Sequence, residues 1–469
     1  MLMDSNLKSE KKISVDLLLC GGTAITVDQE RRVIRDMGIA ILGEDIVFVG
    51  KKDEALREYQ ASQILDCTDK VVIPGLINSH IHFSHHMSKG LMPDTLGPAV
   101  QSRYTHYNIS PHLTVDHEVW GSKALLIEML KGGTTTFLES GSYHPIEVLE
   151  GGIEEIGIKG LMGRRAFDRA SLGHSSLMES TSDILKKQQH LLEKYSNRKN
   201  IKTCVTIVGM QRYSDELAIE AKKMADSYGV IMTMHESAWN DTVNESRVRN
   251  NCRPIEHLEQ LGVLGSNLVL VHMLYINQPE VEILAKHNVK VVTCPSTGLK
   301  LGYAFQFGRF PEMLDAGVTV ALGSDSSDCS NYHDMIRVLN LEACLYKGLR
   351  LDPEIMGAEC AIEMATINGA KALGLEHEIG SLEVGKKADI AIFDTNRFDW
   401  RPMFSEIQAL VHSATGDSCE TVIINGKVIV DKKQILTVDE EEILRKLRGL
   451  EKDMLVRTGI TVASPWKFI

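Results

Sequence analysis

No stretch of this sequence reaches the roughly 18 consecutive apolar residues that a membrane-spanning helix needs. The first residues, MLMDSNLKSEKKISVD, are charged and have no apolar centre, so a secretory leader is not expected. Positive charge is not in excess. The 51 Lys and Arg against 63 Asp and Glu leave a net −12, which argues against nucleic acid or an anionic membrane as partner. The nine cysteines are odd in number and none forms a C-x-x-C pair. A reducing, cytoplasmic setting fits this better than a disulfide framework.

Several catalytic signatures are also missing. No G-x-G-x-x-G follows an early strand, which removes the usual reason for a doubly wound dinucleotide fold. P-loop and G-x-S-x-G motifs are absent. H-E-x-x-H is not completed, because His235-Glu236 is followed by Trp239 where the second histidine would stand. The H-x-E and P-C-x-x-C pair of the small zinc deaminases is lacking too.

What is present is strand texture at both ends and strand–helix alternation between them. VDLLLCGGTAITVD, RDMGIAILGEDIVFVGK and SQILDCTDKVVI are rich in Val, Ile and Leu and broken by Gly and Asp turns. The texture returns in KKADIAIFDT and in CETVIINGKVIVDKKQIL, where INGK is a hairpin signal. Residues 1–72 and 376–440 are therefore expected to form one composite β-sandwich. Between them eight apolar runs recur: VVIPGLINSHIH, GTTTFLES, KGLMGRRAF, KTCVTIVG, GVIMTMHES, NLVLVHM, VKVVTCP and VTVALGSD. Amphipathic stretches such as SDELAIEAKKMADSYG and QPEVEILAKHN separate them. The expected fold is α/β, with 73–375 a (β/α)8 barrel. Residues 441–469 read as a charged terminal helix and tail that packs or assembles the protein.

Polar residues collect where these runs end. Strand one ends in His80 and His82, strand five in His235, strand six in His272 and strand eight in Asp325. In a barrel such ends converge on one mouth. Strand period two points His80 and His82 the same way. Three imidazoles and one carboxylate suit one divalent ion per chain, Zn or Fe(II). Zinc lowers the pKa of a bound water from about 15.7 to about 7, which makes a hydroxide nucleophile at neutral pH. His272 and Asp325 are the candidate proton carriers. His85 and His86, in the loop after strand one, read as loop or lid residues.

These residues resemble the amidohydrolase superfamily over nearly the whole chain. VIPGLINSHIH is similar to its strand-one motif. GGTTTFLE, CPSTGLKLG, FPEMLDAGVTVALGSDSSDCSN, EIGSLEVGKKADIAIFD and CETVIINGKVIVD are similar to its later blocks. Within it the chain looks like the branch of cytosine/guanine-type deaminases, S-adenosylhomocysteine deaminases and s-triazine hydrolases. The resemblance implies a mononuclear site on His80, His82, His235 and Asp325, with His272 activating water and Asp325 shuttling its proton. It places Lys89 near the substrate loop; Lys89, Trp239 and Asn331 are the expected substrate contacts. The family usually has a glutamate three residues after the strand-five histidine, where this chain has Ala238. Glu236 takes over the ring-acid role if the strand ends at His235; otherwise strand alternation points it away.

The expected reaction is displacement of an amino, alkylamino or chloride group from a nitrogen heterocycle by metal-bound hydroxide. Hydrolysis of an amide, urea or cyclic amide bond is the second reading, and a non-catalytic scaffold of the same fold is the third. The expected partners are a small-molecule substrate and further copies of the chain, as a dimer or higher oligomer.

Overall fold

A computed structural model describes residues 12–92, 105–170, 178–461 and 466. Its centre is a ring of parallel strands. In chain order strands one to eight are Leu76–His82, Thr134–Ser142, Lys159–Arg164, Ile201–Thr203 with Val205–Gly209, Met232–Glu236, Leu268–His272, Lys290–Thr293, and Val320–Leu322 with Asp325–Ser326. They pair as two five-stranded sheets. The two parts of strand four pair on opposite sides, Ile201–Thr203 with strand three and Val205–Gly209 with strand five. The two parts of strand eight do the same toward strands seven and one. The sheets therefore run into one another and make the barrel. Every residue of strands one, two, five and six is buried, as expected for parallel strands covered on both faces.

The helices between the strands start where the sequence supplies caps. The Ser214 hydroxyl accepts the Leu217 N–H at 3.0 Å. Asn277 and Glu280 form a reciprocal capping box, with bonds of 2.9 and 3.1 Å. The helix Asp215–Tyr228 ends at Gly229, whose φ is +64°.

The first apolar run, VVIPGLINSHIH, is two strands rather than one. Lys70–Pro74 belongs to a seven-stranded sheet outside the barrel, and Leu76–His82 is barrel strand one. Gly75 makes the joint, where a Cβ would lie 2.1 Å from the Thr135 hydroxyl. In the outer sheet Lys70–Pro74 lies between Thr23–Ile25 and Ile390–Asp394. A four-stranded sheet of Ile13–Cys20, Met37–Leu42, Asp45–Lys51 and Tyr59–Asp66 faces it. Leu17, Leu19, Ile39 and Ile41 of one sheet share a core with Val72, Ile390, Ile392 and Ile423 of the other. INGK is the turn of the hairpin Cys419–Ile424 and Lys427–Asp431, with Asn425 at φ +49° and Gly426 at +73°.

The terminal helix Glu440–Thr458 starts at Asp439, which accepts the Glu441 and Glu442 N–H groups at 2.9 and 3.1 Å. Its Met454 packs with Met87, Ile109 and Leu113, so this helix braces the chain that leaves strand one. No described helix is long and apolar enough to cross a membrane.

One carboxyl group sits in the core without a partner. On the helix Met335–Arg350 the buried stripe runs through Val338, Leu339, Glu342, Ala343 and Tyr346. Both Glu342 carboxyl oxygens are buried and unbonded. Burial pushes this group up to about 8. Between its ordinary pKa and about 8 the unfolded chain gives up a proton that the folded protein keeps. Stability therefore falls as pH rises through that window. Glu342→Gln is expected to flatten this loss and to raise the apparent melting temperature at pH 8 relative to wild type. Parallel melting curves from pH 5 to pH 8.5 check it; equal slopes for the two proteins refute it.

Candidate functional site

The barrel mouth is assembled by strand register. Asp325 of strand eight stands beside Ile81, between the two strand-one histidines. Gly209 of strand four stands beside His235 of strand five. Gly209 is required there, since a Cβ would meet the His235 carbonyl oxygen at 1.9 Å. Several strands leave the sheet through left-handed residues at this end: Met210 and Gln211 after strand four, Ser237 after five, His272 at the end of six, and Asp325 in eight. Such non-glycine conformations are uncommon and cluster at functional sites.

The structure brings His80, His82, His235, His272 and Asp325 together, each at most 7% exposed. His80, His82 and His235 each offer a ligand atom within 4.8 Å of one another, and so do His80, His272 and Asp325. The Nε2 atoms of His82 and His235 are 3.2 Å apart. The Asp325 Oδ1 is 3.5 Å from His80 Nε2 and 3.7 Å from His82 Nε2. The other ring nitrogens are anchored: His235 Nδ1 donates to the Val208 carbonyl at 2.7 Å, and His80 Nδ1 bonds the Ser140 hydroxyl at 2.8 Å. These bonds turn the His235 Nε2 lone pair inward and orient the His80 ring. His80 Nε2 and His82 Nδ1 are buried with no hydrogen-bond partner.

The electrostatics agree. Burial, with the neighbouring imidazoles, holds His82 and His235 well below the usual histidine range. Burial brings His272 down to about 4. Burial opposes the charge of Asp325, but the adjacent His80, followed by His272 and His82, outweighs it and holds this carboxyl well below its usual range. Imidazoles held neutral at His82, His235 and His272 beside an ionised carboxylate are what a divalent cation requires.

The donor set passes a geometric test. A metal at about 2.0–2.1 Å from each nitrogen separates neighbouring ligand atoms by roughly 3 Å, close to the 3.2 Å between the two Nε2 atoms. The unbonded His80 Nε2 and the facing Nε2 atoms of His82 and His235 form a buried donor set that a cation would satisfy.

The expected substrate contacts divide. Trp239 lines the cleft next to the cluster. Lys89 does not; it is half-exposed and pairs with Glu128 at 2.9 Å. Asn331 does not either; its side chain accepts from Lys300. Glu236 is not among the described residues that line the cleft. Strand five runs on through Glu236, which pairs in register with His272, so alternation aims its side chain away from His235. Its Oε1 accepts the Ser237 N–H at 2.7 Å, and burial pushes it up to about 8. Ala238 joins Met210 and Trp239 in an apolar cluster where the family glutamate would stand.

Other cleft residues come from the ends of runs whose polar tips went unread in the sequence. Arg165 lies two residues before the end of KGLMGRRAF and lines the cleft, and Ser140, the last residue of GTTTFLES, backs the His80 ring. Arg212 follows strand four. His85, on the 3-10 turn Phe83–Ser88, lines the cleft and pairs with Asp328 at 3.4 Å. His86 instead bonds the Ser327 hydroxyl at 3.0 Å.

A family model described as the amidohydrolase family matches residues 71–429. The 5-methylthioadenosine/S-adenosylhomocysteine deaminase of Syntrophobacter fumaroxidans is 30% identical over 438 residues, covering 93% of this chain and 98% of that one. Among solved structures, an adenosine deaminase from Xanthomonas campestris with bound zinc superimposes with a TM-score of 0.88 at 24% identity, over 95% of this chain and 100% of that one. The atrazine chlorohydrolase of Arthrobacter aurescens complexed with zinc gives a TM-score of 0.84 at 24% identity, over 93% and 100%. On the family match and the full-length relative, the chain belongs to the amidohydrolase family and is a hydrolase of C–N bonds.

Proposed function

We propose that this enzyme hydrolytically removes the amino group of an aminopurine nucleoside or a closely related nitrogen heterocycle, using one divalent ion held by His80, His82, His235 and Asp325. The observation that carries the reading is the set of inward lone pairs: a buried, unbonded His80 Nε2 beside Nε2 atoms 3.2 Å apart, with a carboxylate alongside. The deaminase relative, named for adenosine derivatives, supports the substrate class. Zinc is the ion assigned, because three imidazole nitrogens and one carboxylate oxygen suit it and both solved neighbours contain it. Fe(II) is accepted by the same donors.

The ion would supply Lewis-acid activation of water at neutral pH. The chain's own residues do the rest. His272 stands with its ring 5.8 Å from that of His80 and 5.5 Å from that of His235. It receives the proton of the attacking water on a ring nitrogen. The Asp325 carboxylate carries the proton to the departing amine. Trp239 and Tyr303, 6.2 Å apart, supply the aromatic walls for a flat ring. Glu236 stays outside this chemistry. His85, backed by Asp328, is the side chain assigned to the ring nitrogen in its place.

A second reading has a specific observation behind it. Ala238 leaves an apolar surface where the family carries its ring acid, which favours leaving groups that need less ring protonation, chloride or alkylamine.

The test is metal content of the purified protein with release of ammonia, chloride and amine scored over adenine nucleosides, aminopyrimidines and s-triazines. About one zinc or iron per chain is expected, with ammonia as the released group. His272→Ala is expected to keep the metal and lose ~10³-fold in kcat. Ser140→Ala is expected to weaken metal affinity ~10-fold by freeing the His80 ring. Glu236→Gln is expected to retain near-normal turnover. A large kcat loss in Glu236→Gln would return that carboxylate to the reacting centre. Chloride or amine in place of ammonia would select the second reading. A protein that binds no metal and turns over nothing with added zinc or iron would be a scaffold.

A further inference from the structure

The cleft holds buried guanidinium nitrogens that the metal site does not use. Arg212 is 3% exposed and lines the cleft together with His235, His272 and Asp325. Its Nε and Nη2 are buried without a hydrogen-bond partner. Arg165 lines the same cleft, stacked over the Tyr143 ring at 4.8 Å, and its Nε is buried and unbonded as well. Arg164, one residue earlier, shows the ordinary alternative: it is paired with Glu179.

Among the described residues, each carboxylate that lines the cleft already has partners. Asp325 lies within 3.7 Å of two histidines. Asp328 Oδ2 lies 3.4 Å from His85 Nδ1 and accepts from the Thr105 hydroxyl at 2.9 Å, while its Oδ1 is buried and unbonded. Glu245 acts on Arg212 less strongly than Arg165 does. Burial, and then the charge of Arg165, bring the Arg212 guanidinium down to about 10, so it is still a cation at neutral pH.

The backbone aims this side chain at a cost. Gly209, Met210 and Gln211 carry φ of +78°, +50° and +64° in succession, and the turn closes with the Arg212 N–H donating to the Gly209 carbonyl at 3.1 Å. Two non-glycine residues in the left-handed region are unfavourable. So is a buried, unpaired cation, and more so beside another one. The arrangement is accounted for if a counter-anion arrives with the ligand. Guanidinium forks match planar or tetrahedral oxyanions through paired N–H bonds.

We propose that Arg212, with Arg165 beside it, binds an anionic substituent, a carboxylate or phosphate, carried by the heterocyclic substrate. The site thereby selects charged over neutral members of the substrate class. The identity of the heterocycle rests on the deaminase reading; the anion site itself does not depend on turnover.

The experiment uses the zinc-loaded full chain. Binding of adenosine, its 5′-carboxylate and its 5′-monophosphate is measured by calorimetry in wild type, Arg212→Met and Arg212→Lys. Ammonia release is followed in parallel, and inorganic phosphate is titrated alone as the bare anion. At least one charged nucleoside is expected to bind wild type ~10- to 100-fold more tightly than adenosine. Arg212→Met should abolish that preference and Arg212→Lys should keep part of it. The better of the carboxylate and the phosphate identifies the anion. Equal affinity for neutral and charged nucleosides in wild type overturns the proposal, and so does a preference that survives in Arg212→Met. The wild-type comparison alone decides if Arg212→Met does not fold. If no nucleoside binds, inorganic phosphate decides: binding that Arg212→Met weakens upholds the site, and no binding overturns it. Charge preference without ammonia would sink the deaminase reading and leave the anion site standing; ammonia without charge preference would do the reverse.

Discussion

Backbone strain at the barrel mouth is the constraint on which the site depends. A strand that kept β geometry would carry successive side chains to alternate faces and past the rim. Here the chain turns through a left-handed residue after strands four and five, at the end of six, and within eight. Each such break in a non-glycine residue costs of order 1–3 kcal/mol and persists because parallel ladders on both sides hold the chain. His272 and Asp325 are themselves among the strained residues. The breaks at strands six and eight thus act directly on two members of the imidazole–carboxylate cluster.

Dryness then sets the chemistry. With His80, His82, His235, His272 and Asp325 almost fully buried, water cannot compensate their lone pairs. The Val208 carbonyl and the Ser140 hydroxyl fix two of the rings from behind. The same dryness that favours neutral imidazoles makes the guanidinium of Arg212 costly to leave alone. One low-dielectric cleft therefore holds a group of donors suited to a cation and, on its wall, unbonded guanidinium nitrogens suited to an anion. A substrate that spans both would have its ring and its charged end fixed at once.

The barrel and the histidine–aspartate cluster were legible in the sequence because parallel strands are apolar along their whole length and change character abruptly where they reach the mouth. LINSHIH and LVLVH show that change within two residues. The aim of Glu236 was less legible: it turns on whether strand five stops at His235 or one residue later, and sequence patterns place strand ends no better than that. Lys89 was expected near the substrate loop from the family resemblance, yet it pairs with Glu128, and the Asn331 side chain accepts from Lys300. Arg212 was not legible at all. GMQRYS follows its strand with no periodicity, and its orientation comes from a turn that packs against the His235 carbonyl across strands. The single run VVIPGLINSHIH hid a change of sheet at Gly75, since apolar strands in adjacent sheets look alike when only one residue separates them.

That joint at Gly75 has a consequence for biosynthesis. The strand just before it, Lys70–Pro74, takes its neighbour from Ile390–Asp394, more than three hundred residues later in the chain. Its other neighbour, Thr23–Ile25, is made before it, so strand one, which carries His80 and His82, is anchored through both edges of that upstream strand only after most of the protein has left the ribosome. It must also wait for Asp325–Ser326 to close the ring on its other edge. Such distant pairings slow folding and leave apolar edges open in the meantime. The nascent chain thus carries an unfinished ligand set until Asp325 has been made, about two thirds of the way along the sequence.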